Sequence, residues 1–284
     1  MDVSTSDDVR ARVHGMWAAV AGRWAEHADD VDQRGIAVTD VMLERAALRA
    51  GDRVLELACG PGGAGLAAAE RVGPHGVVVM SDVVPEMAAI AAVRATHRGV
   101  ANVRTATLDL EQIDDADQSY DVVLCREGLM FAVEPDRAVG EIHRVLRPDG
   151  RVVVAVWGDR QANPWLGVVF DAVTAITGFP VPPPGVPGPF SLADDAQLGD
   201  LFSAAGFADV VVEQCPMPLH SPSFDAWWSR TKAVAGPLSA MLAGLDVDTA
   251  ARLEAELRTA VAPYTGDAGL DLPGLTLVAS ARRP

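Results

Sequence analysis

Residues Leu55–Gly65, LELACGPGGAG, join a short apolar run to an alanine-rich helical one through Gly60, Gly62 and Gly65. A junction of this kind needs glycine, because a Cβ would obstruct either the tight turn or the approach of a ligand to the backbone. It also restricts the fold: a buried strand running directly into a helix belongs to a β-α-β unit, and such units build parallel sheets. The chain repeats the alternation. Strands are predicted at Arg53–Leu57, Gly76–Ser81, Val103–Leu108, Asp121–Cys125 and Arg151–Trp157, with helices at Gly63–Val72, Pro85–His97 and Pro135–Leu146. Arg147-Pro148-Asp149-Gly150 stops the last helix and turns the chain.

Outside this stretch the periodicity is helical. Val13, Met16, Trp17, Val20 and Trp24 recur at helical spacing, an apolar face that packs on the main domain, and a second helix is predicted over Ile36–Ala50. After the fifth strand come a helix at Pro164–Thr177, the stretch GFPVPPPGVPGPF at Gly178–Phe190, a helix at Asp194–Ala205 and a sixth strand over Gly206–Met217. Its prolines make 178–190 a stiff connection, and the flanking Phe179 and Phe190 mark an ordered loop. Helical signals at Ser223–Ala235, Pro237–Leu245 and Val247–Ala262 then form an insertion before a last strand at Leu275–Ala281. The implied organisation is an N-terminal helical cap (1–50), an α/β core (51–222), a helical lid (223–265) and the core's final strand (266–284).

With 49% hydrophobic and 22% charged residues, the 284-residue chain has the composition of a folded globular protein. Its formal charge of −16 repels phosphate backbones and anionic membrane surfaces, which predicts neither a nucleic-acid nor a membrane partner. Cys59, Cys125 and Cys215 are too scattered for a metal site and too few for a disulfide framework, as suits a reducing cytoplasm. The acidic N-terminus has no export-signal pattern, and no run is long enough to span a bilayer. A homodimer is compatible with the sequence.

Two cofactor patterns fit the glycine loop. Gly60, Gly62 and Gly65 satisfy the G-x-G-x-x-G of nicotinamide enzymes, whereas Glu56-x-x-x-Gly60-x-Gly62 satisfies the first motif of S-adenosylmethionine (SAM) enzymes. Glu56, at the end of the first strand, sets a carboxylate where a pyrophosphate would bring negative charge; it suits an ammonium or a sulfonium instead. Neither Tyr120 nor Tyr264 has Lys four residues on, so the catalytic pair of many reductases is missing as well.

VLELACGPGG, VVMSDVVPEM, ATLDLE, YDVVLCREGLMF and EIHRVLRPDGRVVVAVW occur in the order and spacing of class I SAM-dependent methyltransferases, and over about Gly51–Trp157 the chain resembles that family. The resemblance implies a Rossmann-like α/β fold, with a seven-stranded, mostly parallel sheet, an antiparallel last strand, N-terminal helices and a helical insertion between strands six and seven. It implies SAM as cofactor. Glu56, Ala58, Gly60 and Gly62 resemble the first motif beside the methionine moiety, Asp82 the acceptor of both ribose hydroxyls, and Val83 and Met87 its neighbours at the adenine. Asp109 and Leu110 resemble the residues at the adenine amino group and ring, and Cys125 and Arg126 the segment facing the methionine end.

Methyl transfer from a sulfonium requires a collinear, water-free arrangement more than a catalytic side chain. Should the acceptor need deprotonation, the candidate bases are Glu127, which follows the fourth strand, and His14 and His220 on the added elements. Trp17, Trp24, Phe131, Trp165, Phe179, Phe190, Trp227 and Trp228 predict an enclosed apolar pocket for a small acceptor such as an aromatic, lipid-like or secondary metabolite. Two other readings stay open: a methyltransferase-fold enzyme whose SAM is structural and which catalyses a cyclisation or rearrangement, and an NAD(P)-dependent reductase.

Overall fold

The computed structural model describes residues 5–284. Helices α1 (Ser6–Ala18), α2 (Ala21–Glu26), α3 (Ala28–Arg34) and α4 (Ile36–Ala46) precede β1 (Arg53–Leu57), α5 (Gly63–Val72), β2 (Val77–Asp82), α6 (Pro85–His97), β3 (Val103–Thr107), β4 (Tyr120–Arg126), α7 (Pro135–Val145) and β5 (Leu146–Trp157). Then follow α8 (Pro164–Thr177), α9 (Asp195–Ala204), β6 (Ala208–Pro216), β7 (Leu219–Ser221), α10 (Phe224–Val234), α11 (Gly236–Ala243), α12 (Val247–Val261), β8 (Thr265–Gly266), β9 (Gly269–Leu272) and β10 (Leu275–Arg282).

Seven strands form the main sheet in the order β3-β2-β1-β4-β5-β10-β6. The first five are parallel, and β10 runs antiparallel between β5 and β6. The strands alternate faces: Val54, Val78 and Val122 pack under α4, α5 and α6, whereas Leu55, Val123 and Val152 pack against α7 and α9. Because the order reverses beside β1, between β2 and β4, a crevice opens at the carboxyl ends of these strands, the usual ligand position in an open parallel sheet.

Three departures from the sequence reading have physical causes. The apolar face from Val13 to Trp24 is not one helix: the chain leaves helical geometry at Val20 (φ −111°, ψ 0°), which lets Ala21 pack against Val84 and Met87. Arg147–Gly150 do not form a turn ahead of the strand. They are looped out within β5, whose pairing with β4 jumps from Tyr120↔Leu146 to Val122↔Arg151. Finally, the region between β6 and β10 is not purely helical, since β7, β9 and β8 make a separate three-stranded sheet.

A further apolar core lies off the main sheet. Trp165, Phe170 and Val173 of α8 pack there with Trp227 and Trp228 of α10, Leu253 and Leu257 of α12, and Leu272 of β9. Asn163, fully buried, ties this assembly to the sheet: its amide donates to Gly158 O (3.1 Å) and Leu275 O (2.9 Å), and its Oδ1 accepts from Trp165 Nε1 (2.9 Å). The stiff 178–190 loop seats Val181 in the same core and ends where Phe190 meets Phe170, ring centroids 5.9 Å apart.

The helices α1–α3 are strapped across the crevice. Arg10 donates to Glu111 (2.6 Å) and Glu134 (3.0 Å), and Asp29 and Asp32 accept from Arg94 of α6 at 2.8 and 2.6 Å. On the other side, Trp24 Nε1 donates to Val234 O at the end of α10 (3.0 Å). One segment thus roofs the crevice and touches the off-sheet assembly.

Candidate active site

Two cavities meet beneath that roof. The first, about 950 Å³ including its open mouth, runs along the carboxyl ends of β1, β2 and β4 and the segment after β3. The second, about 910 Å³ measured the same way, lies between α3, α8, α10 and the end of β5. They share Trp17, Trp24, Val31, Phe131 and Glu127. Trp17 stands edge-on to both Trp24 and Phe131, at centroid distances of 5.7 and 4.9 Å, and these rings form a collar between the chambers.

The first cavity is lined by acids. Glu56 is 2% exposed, at a position where period-two alternation would put a core side chain, and its Oε2 has no hydrogen-bond partner. Burial pushes its carboxyl up to about 8; the Arg126 guanidinium and the Gly65 amide pull the other way without cancelling that effect. Gly65 is glycine for this reason, since a Cβ there would strike Glu56 Oε2 and Met80. Gly62, at φ +86°, caps α5 and leaves no room for a Cβ beside Ala91 and Met80.

Asp82 closes β2 and fixes the turn. Its Oδ2 accepts from Gly60 N and its Oδ1 from Val84 N, both at 2.9 Å, and burial again raises its carboxyl above the ordinary range. A carboxylate oxygen that accepts one amide keeps a further lone pair for a ligand hydroxyl. Asp109 Oδ1 accepts from Glu111 N (2.8 Å), while its Oδ2 lies 3.7 Å from Arg10 Nε and 3.8 Å from His14 Nε2. These acids fit a ligand with adjacent hydroxyls and a positive centre, which would favour their ionised forms, whereas a pyrophosphate would add negative charge among carboxyls that burial already holds back from ionising. Met87, Val83 and Leu110 supply apolar wall.

Glu127 holds a left-handed backbone, φ +59°, uncommon for a side chain of that size. The strain is held by its amide, which donates to Ala155 O at 2.7 Å in continuation of the sheet. The conformation turns the chain where the cavities join, and Glu127 Oε1 is buried without a partner. Ala58, at φ +52°, repeats the conformation just after β1, and the Cβ of Ala58 leaves room only for glycine at 128.

Of the residues singled out from sequence, Glu56, Ala58, Gly60, Asp82, Val83, Met87, Asp109, Leu110, Arg126, His14 and Glu127 line the first cavity. Gly62 and Cys125 do not. Gly62 shapes the turn from behind, and Cys125 is buried with its sulfur among core atoms next to Gly128. His220 reaches neither cavity: it sits on the exposed side of β7, Nδ1 3.1 Å from Asp271. Among the predicted aromatics, Trp17, Trp24, Phe131 and Trp165 line the cavities; Trp227 and Trp228 are core, Phe190 packs on Phe170, and Phe179 is 71% exposed. Sequence reasoning missed Arg34, Trp157, Phe170 and Arg230, which line the second cavity. Nothing in the periodicity of DDVDQRG marks Arg34 as anything but a solvated helix residue. Among the described residues no group of three or more His, Cys, Asp or Glu is placed to hold a metal ion, and no helix is long and apolar enough to cross a membrane.

The sheet order, the glycine turn and the acids at three successive strand ends are those of class I SAM-dependent methyltransferases. Residues 48–165, the segment that carries the glycine turn and these acids, match the family model of the methyltransferase domain. The ubiquinone/menaquinone biosynthesis C-methyltransferase UbiE of Azotobacter vinelandii is 34% identical over 131 residues, 46% of this chain and 51% of the relative. The chain thus spans about half the length of that curated relative. Among solved structures, the YcgJ protein of Bacillus subtilis superposes with a TM-score of 0.58 at 21% identity, covering 86% of this chain and 97% of that one. The [4+2]-cyclase SpnF gives 0.52 at 24% identity, covering 87% and 80%. These two likenesses concern the fold.

Proposed function

We propose that the protein transfers a methyl group from SAM to a small organic acceptor seated in the second cavity. One observation carries this reading: an acid-lined cofactor cleft and an aromatic chamber meet at a single collar, with an unpartnered carboxylate, Glu127, at their junction. A binding domain would have no use for the second chamber, and a dinucleotide enzyme would not bury Glu56 under its glycine turn.

When bound, SAM supplies an electrophilic methyl group on a positively charged sulfur. Asp82 is the residue to receive the ribose hydroxyls, and Val83, Met87 and Leu110 the surface for the adenine. Asp109, fixed by the Glu111 amide, faces the same end and is joined there by His14; His14 therefore serves the cofactor side and not proton transfer. Glu56 and Asp82 favour a cation in the cleft. Trp17, Trp24 and Phe131 exclude water between the chambers, which strengthens these attractions and holds the acceptor in line. Glu127 Oε1 takes the proton of an acidic C–H or O–H on the acceptor. The name of the UbiE relatives favours carbon. The three cysteines are free and buried, in keeping with a cytoplasmic setting.

The test is direct. S-adenosylhomocysteine should bind and raise the melting temperature, where NADH does not, and acceptor incubated with SAM should gain the mass of one methyl group. A converted acceptor of unchanged mass would replace this reading with the cyclisation or rearrangement alternative. Asp82→Ala removes two charge-assisted contacts and should weaken S-adenosylhomocysteine binding by about 100-fold, read by calorimetry. Unchanged affinity would remove Asp82 from the site.

A further inference from the structure

The second cavity is aromatic, yet it contains two arginines that the fold leaves without anions. Arg34 of α3 stacks its guanidinium 3.7 Å over the Trp165 ring, with Nε and Nη2 withdrawn from solvent and without a hydrogen-bond partner. Arg230 of α10 faces the same space. Among the described residues neither has a carboxylate within salt-bridge distance, although the chain carries 39 acidic residues against 23 basic ones. A third donor, Trp157 Nε1, belongs to a residue that lines the same cavity and is also buried and unpartnered. Buried cations and donors without partners are costly, so Arg34 and Trp157, with the half-buried Arg230 lining the same cavity, point to a ligand that completes them.

The acids of this cavity do not fill that role. Asp30, 3.6 Å from His27 Nδ1, attracts Arg230 without reaching ion-pair distance, and Glu127 stands at the collar, close enough to attract Arg34 but with its own Oε1 unpartnered. Burial lowers the Arg34 guanidinium to about 10, opposed by the Glu127 charge and aided by that of Arg230, so that Arg34 remains a cation at neutral pH; burial lowers Arg230 as well, opposed by Asp30. A planar guanidinium held flat on an indole presents its edge to a carboxylate in bidentate geometry.

We infer that the acceptor carries a carboxylate, bound by Arg34 and Arg230 with help from Trp157 Nε1, while its apolar body lies against Trp165 and Phe170. This rests on the reading of the second cavity as the acceptor chamber and narrows the acceptor from an apolar molecule to an amphipathic acid. With its anionic end at the arginines, the molecule would offer its reactive end to Glu127 and the collar.

The experiment uses the full chain saturated with S-adenosylhomocysteine, and tryptophan fluorescence to titrate benzoate, 2-naphthoate and decanoate against their primary amides. At least one carboxylate should bind about 10-fold tighter than its amide, and Arg34→Gln and Arg230→Gln should each remove most of that preference. Phenyl phosphate serves as a further arm: if it outcompetes every carboxylate, a phosphate ester replaces the acid and the inference is overturned. Equal binding of every acid and its amide also overturns it, as does a preference that both variants retain. Failure of S-adenosylhomocysteine to bind at all would instead reject the underlying methyltransferase reading. Because Arg34→Gln removes an uncompensated cation, its melting temperature without ligand should equal or exceed that of the parent, which separates lost recognition from lost folding.

Discussion

Replacing Glu56 by glutamine should stabilise the ligand-free protein at pH 9 by about 5 kcal/mol and weaken its hold on SAM. The sign follows from protonation. In the unfolded chain Glu56 titrates at the ordinary value of 4.5, whereas in the fold burial moves it up to about 8. Below 4.5 both states hold the proton and the side chain adds no pH dependence. Between 4.5 and 8 the folded state keeps a proton that the unfolded state has released, so stability falls as pH rises, by up to about 1.4 kcal/mol per pH unit for one group. Above 8 the fold holds a buried carboxylate and the full cost is present. The amide that replaces the carboxyl in Glu56→Gln has no such titration. Urea melts of both proteins from pH 5 to 9 give the result: their midpoints should converge at the acid end and separate steadily above it. Parallel curves would mean that Glu56 is ionised in the fold throughout. Asp82, itself raised by burial, is present in both proteins, and its charge adds to the rise of Glu56.

Trp227→Ala should cost about 3–5 kcal/mol, the range for emptying a large aromatic site in a packed core. The indole is fully buried between Phe224 and Trp228, with centroids at 5.5 and 6.0 Å, and its Nε1 donates to Trp165 O at 3.2 Å. Truncation removes that hydrogen bond and the backing of Trp165, the wall of the second cavity. No atom of Trp227 reaches the first cavity. The variant should therefore lose binding in the aromatic chamber, followed by tryptophan fluorescence, while keeping S-adenosylhomocysteine affinity within about threefold by calorimetry at low temperature. Equal loss of both would show that the off-sheet core and the sheet unfold as one unit, and that the chambers have no independent stability.

The cofactor side of the protein was legible in the residues because its chemistry is local to strand ends. A glycine turn after β1, Asp82 at the end of β2 and Asp109 after β3 are fixed by the alternation of elements, and the cleft follows once the strands lie side by side. The second cavity was not legible. Arg34, Trp157, Phe170 and Arg230 come from four elements between residues 34 and 230 and meet only through the packing of α8 and α10. Their neighbours in sequence give each an ordinary role: a polar helix residue, a strand end, a core aromatic. His220 failed for the opposite reason. It follows a strand, as catalytic groups often do, but β7 belongs to a separate small sheet, and strands of two to four residues are too short for alternation to reveal. The break at Val20 has no proline to announce it and arises from tertiary packing of Ala21.

The strap formed by α1–α3 has a thermodynamic consequence. It is pinned to α6 by Arg94 and to the end of α10 by Trp24, and its own side chains, Trp17, Trp24 and Val31, belong to both chambers. Whatever ordering of this segment binding requires costs the first occupant free energy that the second need not provide again, and linkage makes the benefit equal in both directions. The two molecules should accordingly help each other to bind, and cutting the Arg94 anchors should dissolve that cooperation before it abolishes either affinity.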